Sequence, residues 1–334
     1  MTGPISAWPG ELVKLQARSL WVRSAPPTAN PAEPALFVHG LGGSGTNWTD
    51  LMDLLRRPGG GEPAAPALDG MAVDLPGFGF SPAPADGDYS VSAKAQAVVE
   101  LIEHSRRWPV HLVGNSLGGA VCTRVAAQRP DLVRTLTLIS PALPDLRPRL
   151  IPLRVSVLCV PKVGPWLLRR ADLRPAELRT DGVVREVYQD PALMHPARRD
   201  EEIAEVLRRD ELGYAVDVLI GSARGLVAEY ARFGPRSLWR DAARVTAPVL
   251  VLYGSHDRLV SPARATQAAR AFPGARVLVL PRTGHVAMME RPAWVAREMR
   301  TLLSCAAGAH KGHPDPERGG GRHPVTQAEA SGAG

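Results

Sequence analysis

The chain of 334 residues is 45% hydrophobic and 22% charged, which is ordinary for a folded globular protein and excludes a chain that stays disordered throughout. Its length fits one elaborated α/β domain with an insertion better than two equal domains. The formal net charge is +7, but the arginines are scattered among acidic residues in most segments, which argues against a nucleic-acid partner.

Short apolar runs rich in β-branched residues alternate with longer helical patterns along most of the chain. Two opening runs, residues 12–17 and 19–23, predict an antiparallel hairpin. Helices are predicted at residues 92–104 and 117–128. Six further runs predict strands at residues 36–39, 71–74, 110–113, 135–139, 249–253 and 277–280. This alternation predicts an α/β fold with a mostly parallel central sheet and helices on both faces.

The alternation stops between about residues 144 and 245, where the pattern is helical, rich in arginine and without clear strands. We interpret this segment as a helical cap inserted into a sheet domain, whose first part is residues 1–143 and whose second part is residues 246–307. From residue 308 onward the sequence is mainly Gly, Pro, His and Ala, which predicts a disordered tail over residues 308–334.

The three cysteines, Cys122, Cys159 and Cys305, are widely spaced, which excludes a disulfide framework and a CxxC metal or redox motif. Residues 1–10 lack the basic and apolar parts of a secretory leader, and no run of about 18 uncharged apolar residues occurs. We therefore expect a cytoplasmic protein without a membrane span.

The motif Gly-Asn-Ser-Leu-Gly at residues 114–118 follows a predicted strand and opens a predicted helix. In this context G-x-S-x-G predicts a turn so tight that Ser116 adopts a strained backbone conformation, with glycines that let neighbouring backbone approach. The hydroxyl group is then lifted above the sheet, beside the N–H groups of a helix start. We expect Ser116 to act as a nucleophile.

A serine hydroxyl group is a weak nucleophile at neutral pH and needs a base and an orienting carboxylate. Two strand ends supply them, because residues 249–253 run into Asp257 and residues 277–280 run into His285. Each has an ordinary alternative role, Asp257 as a helix N-cap and His285 as a loop residue. Their occurrence together at strand ends favours the catalytic interpretation. His256 is a rival base, but its place next to Asp257 in the chain points the two side chains apart.

A glycine-rich segment, residues 40–45, follows the strand that ends at His39. In a serine hydrolase such a segment supplies an oxyanion donor, here the backbone N–H of Leu41, and the N–H of Leu117 supplies the second. The glycines also satisfy G-x-G-x-x-G, a dinucleotide-binding pattern. That alternative requires an acidic residue about 20 positions further on at the end of the next strand. The next strand ends later, at Asp74, so no nucleotide cofactor is expected.

These motifs resemble those of the α/β-hydrolase superfamily, in particular its lid-bearing branch of esterases, lipases and C–C bond hydrolases. The resemblance extends over about residues 36–303. It implies the α/β-hydrolase fold, a triad in the chain order Ser, Asp, His, and an acyl-enzyme reaction without a metal or organic cofactor. It rests on four signatures, at residues 39–45, 74–81, 114–119, and 284–285 followed by 290–292.

Some residues differ from those of particular branches of the family, and these differences restrict the reaction that we expect. A serine at position 116 differs from the aspartate of haloalkane dehalogenases and epoxide hydrolases. Gly43, Ser44 and Val286 stand where C–C bond hydrolases usually have a proline and a tryptophan. We therefore expect hydrolysis of an ester with an apolar acyl or aromatic group. The alternatives are C–C bond hydrolysis of a dienone-type acid and a non-catalytic ligand-binding protein on the same fold.

Residues 150–168 of the predicted cap are apolar, are interrupted by three prolines and are flanked by basic residues. One interpretation is peripheral contact of the cap with an anionic lipid surface. The other, which we prefer, is that apolar residues cover a pocket while the basic residues face water. Both imply an apolar, ester or lipid-like substrate, and the oligomeric state stays open. The basic residues are Arg147, Arg149, Arg154, Lys162, Arg169, Arg170 and Arg174.

Overall fold

The structure, a computed structural model, describes residues 5–60, 64–145, 157, 159–232, 234 and 237–311, with backbone alone at residues 308–311. A sheet of eight strands organises this described part of the chain. The strands are β1 (Gly10–Lys14), β2 (Ser19–Ala25), β3 (Ala32–Val38), β4 (Ala67–Val73), β5 (Val110–Asn115), β6 (Val133–Ile139), β7 (Val249–Gly254) and β8 (Arg276–Leu280).

The strand order across the sheet is β1-β2-β4-β3-β5-β6-β7-β8. Strand β1 pairs with β2 and β2 with β4 in antiparallel register, and the remaining neighbours are parallel. The predictions of an opening hairpin and of a mostly parallel sheet are therefore confirmed. Because the carboxyl ends of the parallel strands share one edge, the loops that follow β3, β5, β7 and β8 lie on the same side of the molecule.

Helices cover both faces of the sheet, as predicted. One hydrophobic cluster joins α2, α3, α8 and α9 to one face, and a second cluster joins α1, α10 and α11 to the other. The helices are α1 (Thr49–Leu55), α2 (Val91–Ser105), α3 (Leu117–Gln128), α4 (Val163–Ala171), α5 (Ala176–Val187), α6 (Pro196–Asp210), α7 (Ala215–Tyr230), α8 (Leu238–Ala242), α9 (Ala265–Ala271), α10 (Ala287–Glu290) and α11 (Pro292–Lys311).

Between β6 and β7 the described residues form helices α4 to α8 and no strand. Of the basic residues singled out above, Lys162, Arg169, Arg170 and Arg174 are exposed, whereas Arg147, Arg149 and Arg154 lie outside the described residues.

Helix α11 continues to Lys311, three residues past the predicted start of the tail at 308, and residues 312–334 lie outside the described part. Among the described residues no helix has the length and apolarity needed to cross a bilayer.

A buried arginine joins helix α3 to the last two helices before β7. The Arg124 guanidinium donates to both carboxylate oxygens of Glu229, each at 2.9 Å, and to Asp241 Oδ2 at 3.1 Å. Only 4% of the Arg124 side chain is exposed, against 1% for Glu229 and 7% for Asp241. These ions have little water to solvate them, so each depends on the others. The network fixes α7 and α8 against the helix that begins after Ser116.

Replacing Arg124 with methionine leaves two buried carboxylates without their main partner, and we expect the free energy of unfolding to fall by about 3–5 kcal/mol. Arg129→Met is the matched control, because Arg129 lies just past the same helix and pairs with the exposed residues Glu103 and Asp131. That control should cost less than about 1 kcal/mol. Urea denaturation of both variants makes the comparison. Equal losses would show that burial does not govern the Arg124 network.

Candidate active site

Ser116 occupies a sharp turn between strand β5 and helix α3. Its backbone angles are φ 52° and ψ −117°, which non-glycine residues rarely adopt. A Cβ atom at Gly114 would lie 2.5 Å from the carbonyl oxygen of Gly118, and one at Gly118 would lie 2.2 Å from that of Val38. Only glycine fits at either position. The turn leaves Ser116 half-buried, whereas the residues on either side of it are buried.

Hydrogen bonds from the neighbouring strand hold this turn. The Ser116 N–H donates to the carbonyl oxygen of Ile139 at 3.1 Å, and the Ser116 carbonyl oxygen accepts from the N–H of Ala142 at 2.9 Å. The Asn115 side-chain amide donates to the carbonyl oxygens of Ile139 at 3.0 Å and His285 at 3.1 Å. The residue before Ser116 is therefore tied directly to the backbone of His285.

His285 and Asp257 form a buried pair at the ends of β8 and β7. His285 Nδ1 lies 2.9 Å from Asp257 Oδ2. The other oxygen, Oδ1, accepts from the N–H groups of Leu259 at 2.8 Å and Val260 at 2.9 Å. Burial by itself would raise the pKa of Asp257, but the imidazole and these donors hold it below its ordinary value. An ionised Asp257 places the ring proton on Nδ1 and leaves Nε2 able to accept a proton.

The structure brings the three predicted side chains to one edge of the sheet but joins only two of them directly. His285 and Asp257 are hydrogen-bonded. The Ser116 hydroxyl group forms no hydrogen bond with another described residue, and the neighbouring Asn115 side chain bonds to the His285 carbonyl oxygen. His256, the rival base, is exposed, and its Nδ1 lies 2.8 Å from the Ser255 hydroxyl.

A carboxylate that the sequence analysis did not assign a role holds the histidine loop. Glu290 is buried, and its Oε2 accepts from the Gly284 N–H at 2.6 Å. Its Oε1 accepts from the N–H groups of residues 189–190, each at 3.2 Å. The His285 N–H donates to the Val187 carbonyl oxygen at 2.7 Å. The last residue of α5 and the segment after it therefore position the loop that carries His285. The sequence signal was the position of Glu290 in the signature that follows the histidine.

Residues 40–48, which we call the glycine loop, lie against Ser116. A Cβ atom at Gly40 would come within 3.1 Å of the Ser116 Cβ. The Gly40 carbonyl oxygen accepts from the Gly43 N–H at 3.2 Å and from His39 Nδ1 at 2.7 Å. In a trans peptide the N–H points opposite to the carbonyl group, so these two bonds fix the direction of the Leu41 N–H. That N–H makes no hydrogen bond with another described residue.

His39 is a structural link rather than a base. Its Nε2 accepts from the Leu75 N–H at 2.9 Å while its Nδ1 donates to Gly40. Both ring nitrogens are therefore occupied, and burial lowers the pKa of His39 to about 4. The neutral ring joins the glycine loop to the loop after β4.

Asp74 makes a second connection between the same two loops. Its Oδ1 accepts from the Gly45 N–H at 2.6 Å, and its Oδ2 accepts from the Phe80 N–H at 2.8 Å. The carboxyl group is buried, and desolvation raises its pKa to about 6 despite these two donors.

The glycine loop does not have the arrangement of a dinucleotide-binding loop. The N–H groups of Gly43 and Gly45 are bonded within the protein. The loop leads into a single 3₁₀ turn, Gly45–Trp48, before helix α1 begins at Thr49. Among the described residues no group of three or more His, Cys, Asp or Glu side chains is arranged to hold a metal ion.

The sequence is similar to those of known hydrolases and of an acyltransferase component. The model of the alpha/beta hydrolase family matches residues 35–298. An esterase of Mycobacterium tuberculosis is 27% identical over 308 residues, which cover 88% of this chain and 89% of the esterase. The dihydrolipoyllysine-residue acetyltransferase component of the acetoin cleaving system of Cupriavidus necator is 28% identical over 276 residues. That alignment covers 81% of this chain but only 63% of the acetyltransferase.

Structural comparison gives the same fold. The haloalkane dehalogenase DbeA of Bradyrhizobium elkani superposes with a TM-score of 0.73 and 21% sequence identity, covering 90% of this chain and 99% of the dehalogenase. At that identity the likeness concerns the fold alone. Because the family model extends over residues 35–298 of a 334-residue chain, the protein belongs to the alpha/beta hydrolase family.

Proposed function

We propose that the protein hydrolyses carboxylic esters through an acyl-enzyme formed on Ser116. The observation that carries this proposal is the buried hydrogen bond between His285 Nδ1 and Asp257 Oδ2, at 2.9 Å, beside a strained serine turn. A serine, a histidine and a carboxylate in these places form a unit that transfers a proton from the hydroxyl group as it attacks. Hydrogen bonds between a catalytic serine and its base are often long or poorly aligned without substrate and tighten when substrate binds.

The reaction has two steps. In the first, His285 Nε2 takes the proton of the Ser116 hydroxyl group as Oγ bonds to the ester carbonyl carbon, and the carbonyl electron pair moves to oxygen. The tetrahedral intermediate then expels the alcohol, which receives the proton from His285. In the second step water attacks the acyl-enzyme, again giving its proton to His285. The acid leaves as the proton returns to Ser116 Oγ. No metal or organic cofactor takes part.

Two backbone N–H groups would hold the negative oxygen. Leu117 is the first residue of α3, so its N–H has no partner within the helix and lies at the positive end of the helix dipole. Leu41 is the second donor, and its direction is fixed by the bonds that hold the Gly40 carbonyl group. Each such donor contributes roughly 10²–10³-fold to the rate, because it meets charge that develops only in the transition state.

Asp257 orients the histidine and stabilises its charged form. Its lowered pKa keeps the carboxylate ionised, so it attracts the imidazolium that forms during attack without taking the proton itself. Its bonds to the N–H groups of Leu259 and Val260 keep the acceptor oxygen in place.

An apolar acyl or aromatic group is the substrate class that the surroundings favour. A Cβ atom at Gly77 would lie 2.7 Å from the side chain of Val218, and one at Gly42 would lie 3.9 Å from Leu219 Cδ1. Helix α7 therefore presents Val218 to the loop after β4 and Leu219 to the glycine loop, which lies against Ser116. A cleft beside α7 has a mixed lining, with Leu168, Leu212, Ala215, Val216 and Leu219 as its apolar residues and Asp172, Arg209 and Asp210 as its charged ones. We propose that residues 144–245 act as a cap that gives the ester an apolar surface. The M. tuberculosis relative is named an esterase.

Replacing Ser116 with alanine should lower kcat for an aryl ester at least ~10³-fold while leaving the far-ultraviolet circular dichroism spectrum unchanged, because it removes only the attacking oxygen. Ser255→Ala is the matched control, since that hydroxyl group lies beside the exposed His256 rather than beside the glycine loop. The control should keep full activity. Full ester hydrolysis by the Ser116 variant would overturn the proposal.

The same ester assay distinguishes the two histidines that were considered as the base, His285 and His256. His285→Gln should reduce kcat at least ~10³-fold, because the glutamine amide cannot take a proton from the serine. His256→Gln should stay within about twofold of the unmodified protein, because its exposed ring bonds to the Ser255 hydroxyl group and to no triad residue. Steady-state kinetics of both variants on one ester gives the answer. If His256→Gln lost activity and His285→Gln kept it, the base would be His256 instead.

A further inference from the structure

Helix α6 lies across the glycine loop and bonds to it at two places. Near its middle, Glu202 Oε1 accepts from the Asn47 side-chain amide at 2.9 Å. Near its end, Arg209 Nη1 donates to the Gly42 carbonyl oxygen at 3.2 Å. The helix comes more than 150 residues after the loop in the chain. Through these two bonds the conformation of the glycine loop depends on the position of this helix.

The bond between Glu202 and Asn47 also affects the conformation of the glycine loop, because Asn47 bonds to another residue of that loop. Asn47 Oδ1 accepts from the Ser44 N–H at 3.2 Å, which closes the turn at Gly45–Trp48. Glu202 holds the nitrogen of the same amide. With both of its ends bonded, the amide cannot turn over. The orientation of Ser44 is therefore set partly from helix α6.

The bond to Gly42 acts next to the proposed oxyanion donor. Gly42 has a φ of +77°, a conformation that glycine adopts without strain, and it has no side chain to pack. Such a residue has several accessible backbone conformations, so contacts from outside must select one. Arg209 holds its carbonyl group from one side, while the neighbouring Gly40 carbonyl group is held by Gly43 and His39. The peptide of Leu41 lies between these two anchored carbonyl groups.

Placing the Glu202 carboxyl group against the glycine loop removes it from water, which costs free energy. Glu202 is half-buried as a residue, and desolvation of its carboxyl group raises its pKa to about 7 although Arg209 and the Asn47 amide favour the ionised form. A carboxyl group that faced only water would keep its ordinary value.

We propose that Glu202 and Arg209 are positioning residues, which hold the glycine loop so that the Leu41 N–H meets the developing oxyanion. This inference rests on the proposed function. It makes helix α6 part of the catalytic apparatus rather than only a cover, because a displaced helix would release the loop. A purely structural role, in which these bonds only fasten α6, predicts instead a loss of stability with unchanged chemistry per folded molecule.

Two substitutions of Glu202 distinguish a positioning role from a purely structural one. Glu202→Leu removes the acceptor for Asn47, and kcat for an aryl ester should fall ~10-fold with KM within about twofold, because the donor is misplaced only in the transition state. Glu202→Gln keeps a carbonyl acceptor for the same amide and should recover kcat to within about threefold. Binding of a trifluoromethyl ketone, which forms a tetrahedral adduct, should weaken ~10-fold in Glu202→Leu and not in Glu202→Gln.

The matched control is Glu201→Leu on the same helix. Glu201 bonds to Arg198 and to the Ala7 N–H, not to the glycine loop. It should lose stability comparable to that of Glu202→Leu but keep kcat. Arg209→Met removes the bond to the Gly42 carbonyl oxygen and is therefore an independent test. It should show the same fall in kcat as Glu202→Leu. It replaces Glu202→Leu if that variant does not fold.

An unchanged kcat in both Glu202→Leu and Arg209→Met would overturn the inference, as would equal losses of kcat in Glu201→Leu and Glu202→Leu. Failure of the glutamine variant to recover kcat would also overturn it, since the acceptor would then not be what matters. None of these results bears on Ser116. If Ser116→Ala is inactive and the Glu202 and Arg209 variants are normal, only the positioning role fails. If Ser116→Ala is fully active, the proposed ester hydrolysis through Ser116 is itself wrong, whatever the Glu202 and Arg209 variants show.

Discussion

The approach of helix α3 to strand β3 is the constraint on which the rest of the site depends. A Cβ atom at Gly118 would lie 2.2 Å from the Val38 carbonyl oxygen and 2.5 Å from that of His39, so the first turn of the helix rests directly on the end of the strand. The strained turn at Ser116 and the glycine loop both lie next to this contact. One close backbone contact thus places both the hydroxyl group and a proposed oxyanion donor, and any larger residue at position 118 would separate them.

Buried carboxylates that accept backbone N–H groups hold the loops around this contact. Asp74 joins the glycine loop to the loop after β4, Asp257 closes its own turn while holding His285, and Glu290 joins the histidine loop to residues 189–190. Loops rich in glycine and proline have few side chains to pack, and charge-assisted bonds to their N–H groups are stronger than neutral ones. The site is therefore rigid at its backbone although it lies on loops.

Much of the sheet and of the candidate site could be predicted because both depend on local patterns. The predicted helix at 117–128 matches α3, and the strand ends before Asp257 and His285 lie where the apolar runs indicated.

Strand β3 begins earlier than predicted. Pro34 lies where β3 pairs with β4 but not yet with β5, so its missing N–H is tolerated. The contacts of Glu202 with Asn47 and of Glu290 with residues 189–190 could not be predicted, because they join segments about 100 residues or more apart and no sequence pattern relates the two ends.

The most direct measurement of the central claim, that Ser116 is activated by the His285–Asp257 pair, is covalent labelling with a fluorophosphonate followed by mass spectrometry of the intact chain and its peptides. We expect one adduct for each chain, located on Ser116, and labelling slowed at least ~10³-fold when Asp257 is replaced by alanine, because the histidine then loses its orientation. Labelling of Ser116 at the same rate in both proteins, or no labelling at all in a folded protein that hydrolyses esters, would contradict the claim.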